Sequence, residues 1–308
     1  MTGSGGGHRH LDRLTAADLP TRVQASSVLC LPVGSTEQHG PHLPLATDTV
    51  IAEEFTRHLI AAHGETFDLW QLPAVPYGIA PEHAWAPGTL SLAIAEFTAL
   101  LHTLVAQYAR ATKARHLVLV NGHGGNRSVL AALVYELRHA QNFSVCVLHP
   151  LALAHLPAGG DRPEIHAGLH ETALMLHLAQ DSVHLDQLAD QPPPNADEIR
   201  RQVTDRGVSW PWTSNDPLIA AAGIIGNDPR TATPALGARL LEEAVAAAVP
   251  ALEALTGRKS PCPCPTTSAP SSSATACSSA EALPPPPTPA RRATSLPPGT
   301  PRTTTPTA

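Results

Sequence analysis

Three stretches of this 308-residue chain bring histidines and carboxylates together in loops, which is the chemistry of divalent-metal ligation. The first is Pro32-Val-Gly-Ser-Thr-Glu37-Gln-His39-Gly-Pro-His42-Leu-Pro-Leu-Ala-Thr-Asp48. Glu37 and His39 are two apart, so an extended backbone turns both side chains to one side, as ligands of one centre require. Gly40, Pro41 and Pro44 favour a turn that could return Asp48 to the same place. Asp48 alone has an equally good reading as a helix-start carboxylate. The second stretch is Asn121-Gly-His123-Gly-Gly-Asn126. Its glycines allow close approach of a bulky group. It lacks the Lys and Ser/Thr of a phosphate loop and does not meet the three-glycine dinucleotide pattern. A lone histidine in such a loop is commonly structural. The third is His166-Ala-Gly-Leu-His170-Glu171-Thr, at a helix start. His166 and Glu171 can face one cavity, whereas His170 points about 100° away from Glu171 on a helix. A helix-start Glu is also favoured by the macrodipole. Taken together, five imidazole and carboxylate groups suit Zn, Mn or Fe(II), and two ions with one bridging carboxylate leave room for water and substrate.

Positioning such groups requires a rigid scaffold. Apolar runs of strand length occur at 28–33, 67–72, 116–120 and 144–148. Segments with helical spacing follow at 49–62, 93–112, 126–140, 170–179 and 234–255. This alternation predicts an α/β fold with right-handed crossovers and a mostly parallel sheet covered on both faces. All three polar stretches then lie in loops at strand ends or helix starts, where such folds carry function.

Composition narrows the class. With 43% apolar residues the chain can bury a sizeable core, and a net charge of −6 without a Lys/Arg-rich run argues against nucleic acid as a partner. No apolar stretch approaches the roughly 20 residues of a membrane span, and the start shows no signal-peptide core, so a cytoplasmic protein is expected. Cys30 and Cys146 sit in apolar runs and are expected as buried free thiols, and the five cysteines contain no Cys-x-x-Cys pair. The expected organisation is a flexible start at 1–10, a catalytic domain at 11–256, and a disordered tail rich in Pro, Ser and Thr at 257–308.

The stretch from Val33 to Asp48 resembles the signature of the creatininase family. The Asn121–Asn126 and His166–Thr172 stretches are similar to its later motifs, in the same order, and Tyr77-Gly-Ile-Ala-Pro-Glu-His83-Ala-Trp-Ala-Pro-Gly-Thr-Leu-Ser91 resembles a block over the mouth of its active site. The resemblance covers about residues 10–256 and implies a three-layer α/β/α sandwich that hydrolyses C–N bonds of cyclic or linear amides with two divalent metal ions. It implies Glu37 and His123 on one ion, His39 on the other, and Asp48 as the bridge. The creatinine-hydrolysing branch has a further carboxylate where this chain has Gly125, so Glu171 becomes the candidate for that ligand. That branch also closes tryptophans over its planar substrate from the loop before the third motif, but residues 149–165 here contain no aromatic Trp, Tyr or Phe. Trp210-Pro-Trp212 is an alternative source of a lid. His166, titrating near neutrality as an unperturbed imidazole does, is expected to shuttle a proton to the leaving nitrogen. Ser35, Glu82 and His83 are candidates for orienting substrate. The main expectation is a small amide substrate. Other branches of the family deformylate a pyrimidine intermediate of deazaflavin biosynthesis or trim a ribosomally made peptide in cofactor maturation. Outside catalysis the alternative is a metal-binding module, and the resemblance implies a homo-oligomer, with a hexamer one form.

Overall fold

The structure, a computed structural model, describes residues 9–155, 160–190, 193–205 and 207–260. Most of the expected flexible start (1–8) and nearly all of the expected tail (261–308) lie outside the described residues. Arg9, within that expected start, pairs with Asp68 at 2.5 Å, and its carbonyl accepts the Gln71 N–H at 2.7 Å.

Four strands, β1 (Val28–Val33), β2 (Leu69–Gln71), β3 (His116–Asn121) and β4 (Ser144–Leu148), form one parallel sheet in the order β2-β1-β3-β4. Val28 is level with Leu69 on one side and His116 on the other, and His116 with Ser144. The helices in chain order are α1 (Leu19–Arg22), α2 (Thr47–Phe67), α3 (Ile94–Ala111), α4 (Arg127–Gln141), α5 (Pro150–Leu153), α6 (Leu169–Leu178), α7 (Ala196–Ile199) and α8 (Pro234–Thr256). Every residue of β1 is buried, as expected of a central parallel strand covered on both faces. The pleat divides it. Val28 and Cys30 pack into a core with Phe55 of α2, Leu174 of α6 and Leu240 of α8, whereas Leu29, Leu31 and Val33 pack into another with Phe97 of α3 and Leu133 of α4. The fold is thus a three-layer α/β/α sandwich. Right-handed crossovers explain the division. The β1-to-β2 connection runs one way along the sheet and the β2-to-β3 and β3-to-β4 connections the other, so α2 falls on one face and α3 and α4 on the opposite one.

Two local boundaries differ from the sequence reading. Phe67 ends α2 rather than opening β2, because burying its ring completely outweighs the roughly 1 kcal/mol helix penalty of Gly64. Asp68 then reverses the chain in the left-handed region, at φ 56°, and its carboxylate accepts from Trp70 Nε1 at 3.0 Å. Cys146 is half-buried rather than buried, since β4 is an edge strand with a single neighbour, while Cys30 in β1 is fully enclosed. No helix among the described residues is long and apolar enough to cross a membrane.

The direction of strand order reverses around β1, which opens a crevice at the carboxyl ends of β1 and β3. There the first turn of α2 and the end of β3 touch. The Gly122 N–H binds the Val33 carbonyl at 2.9 Å, and a Cβ on Gly122 would overlap the carbonyl oxygen of Asp48. Gly122→Ala is therefore expected to cost about 1–3 kcal/mol by overpacking. Urea unfolding with an unchanged slope and a lowered midpoint would bear this out, and an unchanged midpoint would refute it.

Candidate active site

The crevice gathers side chains from four segments. After β1 the chain runs extended through Glu37 and His39, turns at Gly40 in the left-handed region (φ 64°), and enters α2, where Asp48 is the second helical residue. Ala46 is the N-cap and Asp48 makes no capping bond. Its carboxylate faces His39 Nε2 at 3.1 Å and His123 Nδ1 at 3.0 Å instead. His123, in the loop after β3, is also 3.2 Å from Glu37 Oε2. Glu171, in the first turn of α6, is 3.8 Å from His39 Nε2, and its Oε2 accepts the Ala167 N–H at 2.6 Å. Ala167 holds a left-handed conformation at φ 54° to aim that N–H. Donor atoms of Glu37, Asp48 and His123 lie within 4.8 Å of one another, as do those of His39, Asp48 and Glu171, with Asp48 common to both groups. All five residues are buried.

The imidazoles reveal what the pocket can hold. His39 Nδ1 is 3.2 Å from the Glu37 carbonyl, and His123 Nε2 is 2.8 Å from the Ile79 carbonyl. A carbonyl only accepts, so those nitrogens carry the protons and a neutral ring turns its bare nitrogen toward carboxylate oxygens. Lone pair facing lone pair is unfavourable unless a positive charge lies between them. Both oxygens of Glu37 and Oδ2 of Asp48 are, moreover, buried without a hydrogen bond. Burial is the largest influence on His39 and favours its neutral form, yet Asp48, Glu171 and Glu37 lift it to about 9. His123 is likewise driven well above its ordinary range by Glu37 and Asp48 against burial. Against its own burial, Asp48 is held well below the usual carboxylate range by His39 and His123, while burial, Asp48 and Glu37 push Glu171 up to about 7. The pocket thus favours positive charge at two points. Two divalent ions fit the donor set, with far nitrogens braced by backbone carbonyls as metal-binding imidazoles commonly are.

Around this cluster the other candidates take different places. His166 donates through Nε2 to the Gln38 carbonyl at 2.7 Å and turns Nδ1 toward Glu37 Oε1 at 3.5 Å. It is not an unperturbed imidazole. Burial, with His83 and His39 beside it, holds it well below the ordinary value. His83 stacks on His166 with ring centroids 3.9 Å apart, and its Nε2 is 3.5 Å from Glu37 Oε1. Burial first, then His39 and His123, bring it down to about 3. Glu82 borders a cleft of about 770 Å³ that opens over Asp48, His123, His166 and Glu171. Ser35 is fully buried, its hydroxyl is unpaired, and it lines neither this cleft nor the adjoining cavity of about 190 Å³. His170 lines that smaller cavity with Nε2 unpaired.

Sequence reasoning missed two residues. Gln38 points opposite to Glu37 in an alternating segment, and its amide nitrogen reaches His83 Nδ1 and His166 Nε2, each at 3.0 Å. Ser214 comes from a distant loop, and its hydroxyl lies 2.7 Å from His83 Nδ1 while accepting from Trp85 Nε1 at 2.9 Å. The alternation around Gln38 was a signal for that residue alone, and Ser214 had none.

Gly125 also has a steric reason. A Cβ there would overlap the Ile79 carbonyl and come within 2.5 Å of His123 Nε2 and 2.9 Å of Glu82 Oε1. Gly125→Glu therefore adds no ligand here. It is expected to displace His123 and lower the melting temperature by roughly 2–10 °C. A variant melting with the wild type would show that the backbone has room.

A family model described as creatininase, creatinine amidohydrolase, matches residues 12–252. The chain is 35% identical over 245 residues to the mycofactocin precursor peptide peptidase of Mycolicibacterium smegmatis, covering 77% of this chain and 90% of that one. It is 34% identical over 201 residues to the creatinine amidohydrolase of Pseudomonas putida, covering 58% and 75%. The solved structure described as "Creatininase Mn" superposes with a TM-score of 0.66 at 29% identity, covering 80% of this chain and 98% of its own.

Proposed function

This chain belongs to the creatininase family, and we propose that it is a peptidase within it, cutting an amide bond of a ribosomally made precursor peptide. At the coarser level it is a metal-dependent hydrolase of C–N bonds with a creatininase-like fold. The observation that carries hydrolysis is the paired cradle sharing Asp48, with imidazole nitrogens of His39 and His123 aimed at buried carboxylates. The peptide reading draws on similarity to the M. smegmatis peptidase over 90% of its length. A cleft of about 770 Å³ also lies well up the range of ~300–1,000 Å³ typical of ligand pockets, more than a single small ring needs. Hydrolysis of a small cyclic amide is the second reading, favoured by the likeness to the P. putida enzyme.

In this reading Glu37, Asp48 and His123 would hold one divalent ion, and His39, Asp48 and Glu171 would hold the other. Such ions supply Lewis acidity, lowering the pKa of water toward neutrality and polarising a carbonyl. The protein's own groups do the rest. Water adds to the amide carbon, the C–N bond breaks, and the proton that water releases reaches the departing nitrogen through Nδ1 of His166. Nε2 donates to the Gln38 carbonyl, which leaves Nδ1, turned toward Glu37 Oε1, as the nitrogen able to take up a proton. Gln38 and Ser214 orient the adjoining His83. Glu82, on the cleft wall, is positioned to bind the substrate backbone.

Elemental analysis of the purified protein is expected to find two divalent ions per chain, and Asp48→Ala to lose at least one. A folded wild type that takes up no metal on reconstitution would refute the cradle. Mass spectrometry of synthetic precursor peptides is expected to show a single trimmed product that chelation abolishes. Turnover of creatinine without cleavage of any peptide would decide for the second reading. His166→Ala is expected to keep both ions and lose roughly 10²–10⁴-fold in kcat, and near wild-type turnover would remove His166 from the reaction.

A further inference from the structure

The space beside the metal cradle does not end with the open cleft. It continues as the cavity of about 190 Å³, lined by His123 and Glu171 of the cradle and, beyond them, by Asn121, His149 and Pro150. This places the cavity at the carboxyl ends of β3 and β4, whereas Trp210 and Trp212 line the open cleft and not this cavity. Arg127, the first residue of α4, lines both spaces. Its guanidinium has neither an ion pair nor a hydrogen bond among the described residues. An arginine left unpaired beside a substrate cleft is a ready partner for a carboxylate, because its planar fork matches the two oxygens. His149 adds a second donor. The Asn121 amide nitrogen donates to the His123 carbonyl at 2.6 Å and lies 3.1 Å from His149 Nδ1. An amide nitrogen only donates, so Nδ1 is the bare nitrogen of that ring and Nε2 carries the proton. Burial first, then Arg127, bring His149 down to about 4, which keeps the ring neutral at ordinary pH. The Nε2–H has no partner among the described residues, and the ring borders the cavity. His170 borders it too, buried and with Nε2 unpaired. Outside the cradle Glu164 is the acidic group in this lining, and its oxygens already accept the Asn227 N–H at 2.8 Å, Asn227 Nδ2 at 2.6 Å and the His170 N–H at 3.1 Å. Ile51, Leu151 and Ala152 add apolar surface suited to the stem behind a charged group.

We propose that Arg127 and His149 form a carboxylate-binding subsite that anchors the substrate beside the metal cradle, through an acidic side chain or a free chain end close to the scissile amide. The proposal rests on the peptidase reading. A guanidinium and a neutral N–H donor facing one cavity suit an anionic oxygen pair better than any neutral group, since a charged partner roughly doubles the strength of such bonds. A cationic group is disfavoured, because Arg127 and two divalent ions in the adjoining cradle would add like charge.

The test is isothermal titration of the metal-loaded full chain with two pairs of probes, on wild type, Arg127→Ala, Arg127→Lys and His149→Leu. N-acetyl-glutamate α-amide against N-acetyl-glutaminamide reads a side-chain carboxylate, and N-acetyl-alanine against N-acetyl-alaninamide reads a chain end. In one pair the acid is expected to bind roughly tenfold more tightly than its neutral partner, which identifies the source of the carboxylate. That preference is expected to vanish in Arg127→Ala, to survive in part in Arg127→Lys and to fall roughly threefold in His149→Leu. Acids bound no better than their neutral partners would overturn the subsite, as would a preference that survives Arg127→Ala, because the ions would then hold the carboxylate themselves. An unchanged preference in His149→Leu would remove His149 from it. Arg127 is exposed, so Arg127→Ala is expected to fold, and a superposing circular dichroism melt with an unchanged metal content checks both fold and cradle. Synthetic precursor peptides with Glu or Gln beside the scissile bond, and with free or amidated ends, separate the two readings. Acid-selective binding without cleavage of any peptide would sink the peptidase reading and leave the subsite standing. Cleavage of all of them with equal kcat/KM would sink the subsite and leave the peptidase.

Discussion

Burying several carboxylates in one pocket is costly unless positive charge is buried with them, and Glu37, Asp48 and Glu171 stand under that constraint together. Asp48 carries most of it. It faces one imidazole on each side, belongs to two of the three possible ligand groups, and owes its place to the first turn of α2 lying against the end of β3. The glycine at 122 exists for that contact. Much of the surrounding order follows from the same need. Backbone carbonyls of Glu37, Ile79 and Gln38 each take the far N–H of a histidine, so that the near nitrogen is presented to the pocket.

The parallel sheet supplies the rigidity this requires. Because strand order reverses at β1, the loops after β1 and β3 face one crevice with a core on either side of the sheet, so ligands arriving from separate segments are held by packed elements rather than by one another. The cleft wall is built separately. It comes from a loop with its own small core, tied to the site through Ser214 and His83. An arrangement of this kind allows the metal cradle to stay constant while the wall, and with it the accepted substrate, changes.

Departures from the creatinine-hydrolysing pattern take on physical meaning in this light. Position 125 has no space for any side chain, with the Ile79 carbonyl and His123 ring against it, and Glu171 stands across the pocket where a third carboxylate can meet His39. Aromatic residues are missing from 149–165 and appear at 210 and 212 instead.

Local rules made part of this protein legible from its residues alone. Alternation placed Glu37 and His39 on one side, the 100° step of a helix separated Glu171 from His170, and strand-helix alternation yielded the sandwich, because each depends on neighbours only a few residues apart. Tertiary structure decided what depends on distant partners. Whether the Asp48 carboxylate caps α2 or turns into the crevice was equally open in the sequence, and it is the contacts with His39 and His123 that turn it inward. Which nitrogen each imidazole presents was settled by the carbonyls of Ile79 and Gln38, and burial drew His166 away from ordinary titration. Ser214 carried no local signature, and the Trp210-Pro-Trp212 run suggested a lid without showing where it lies, since the place of both beside the site comes from folding a far segment back to the cleft.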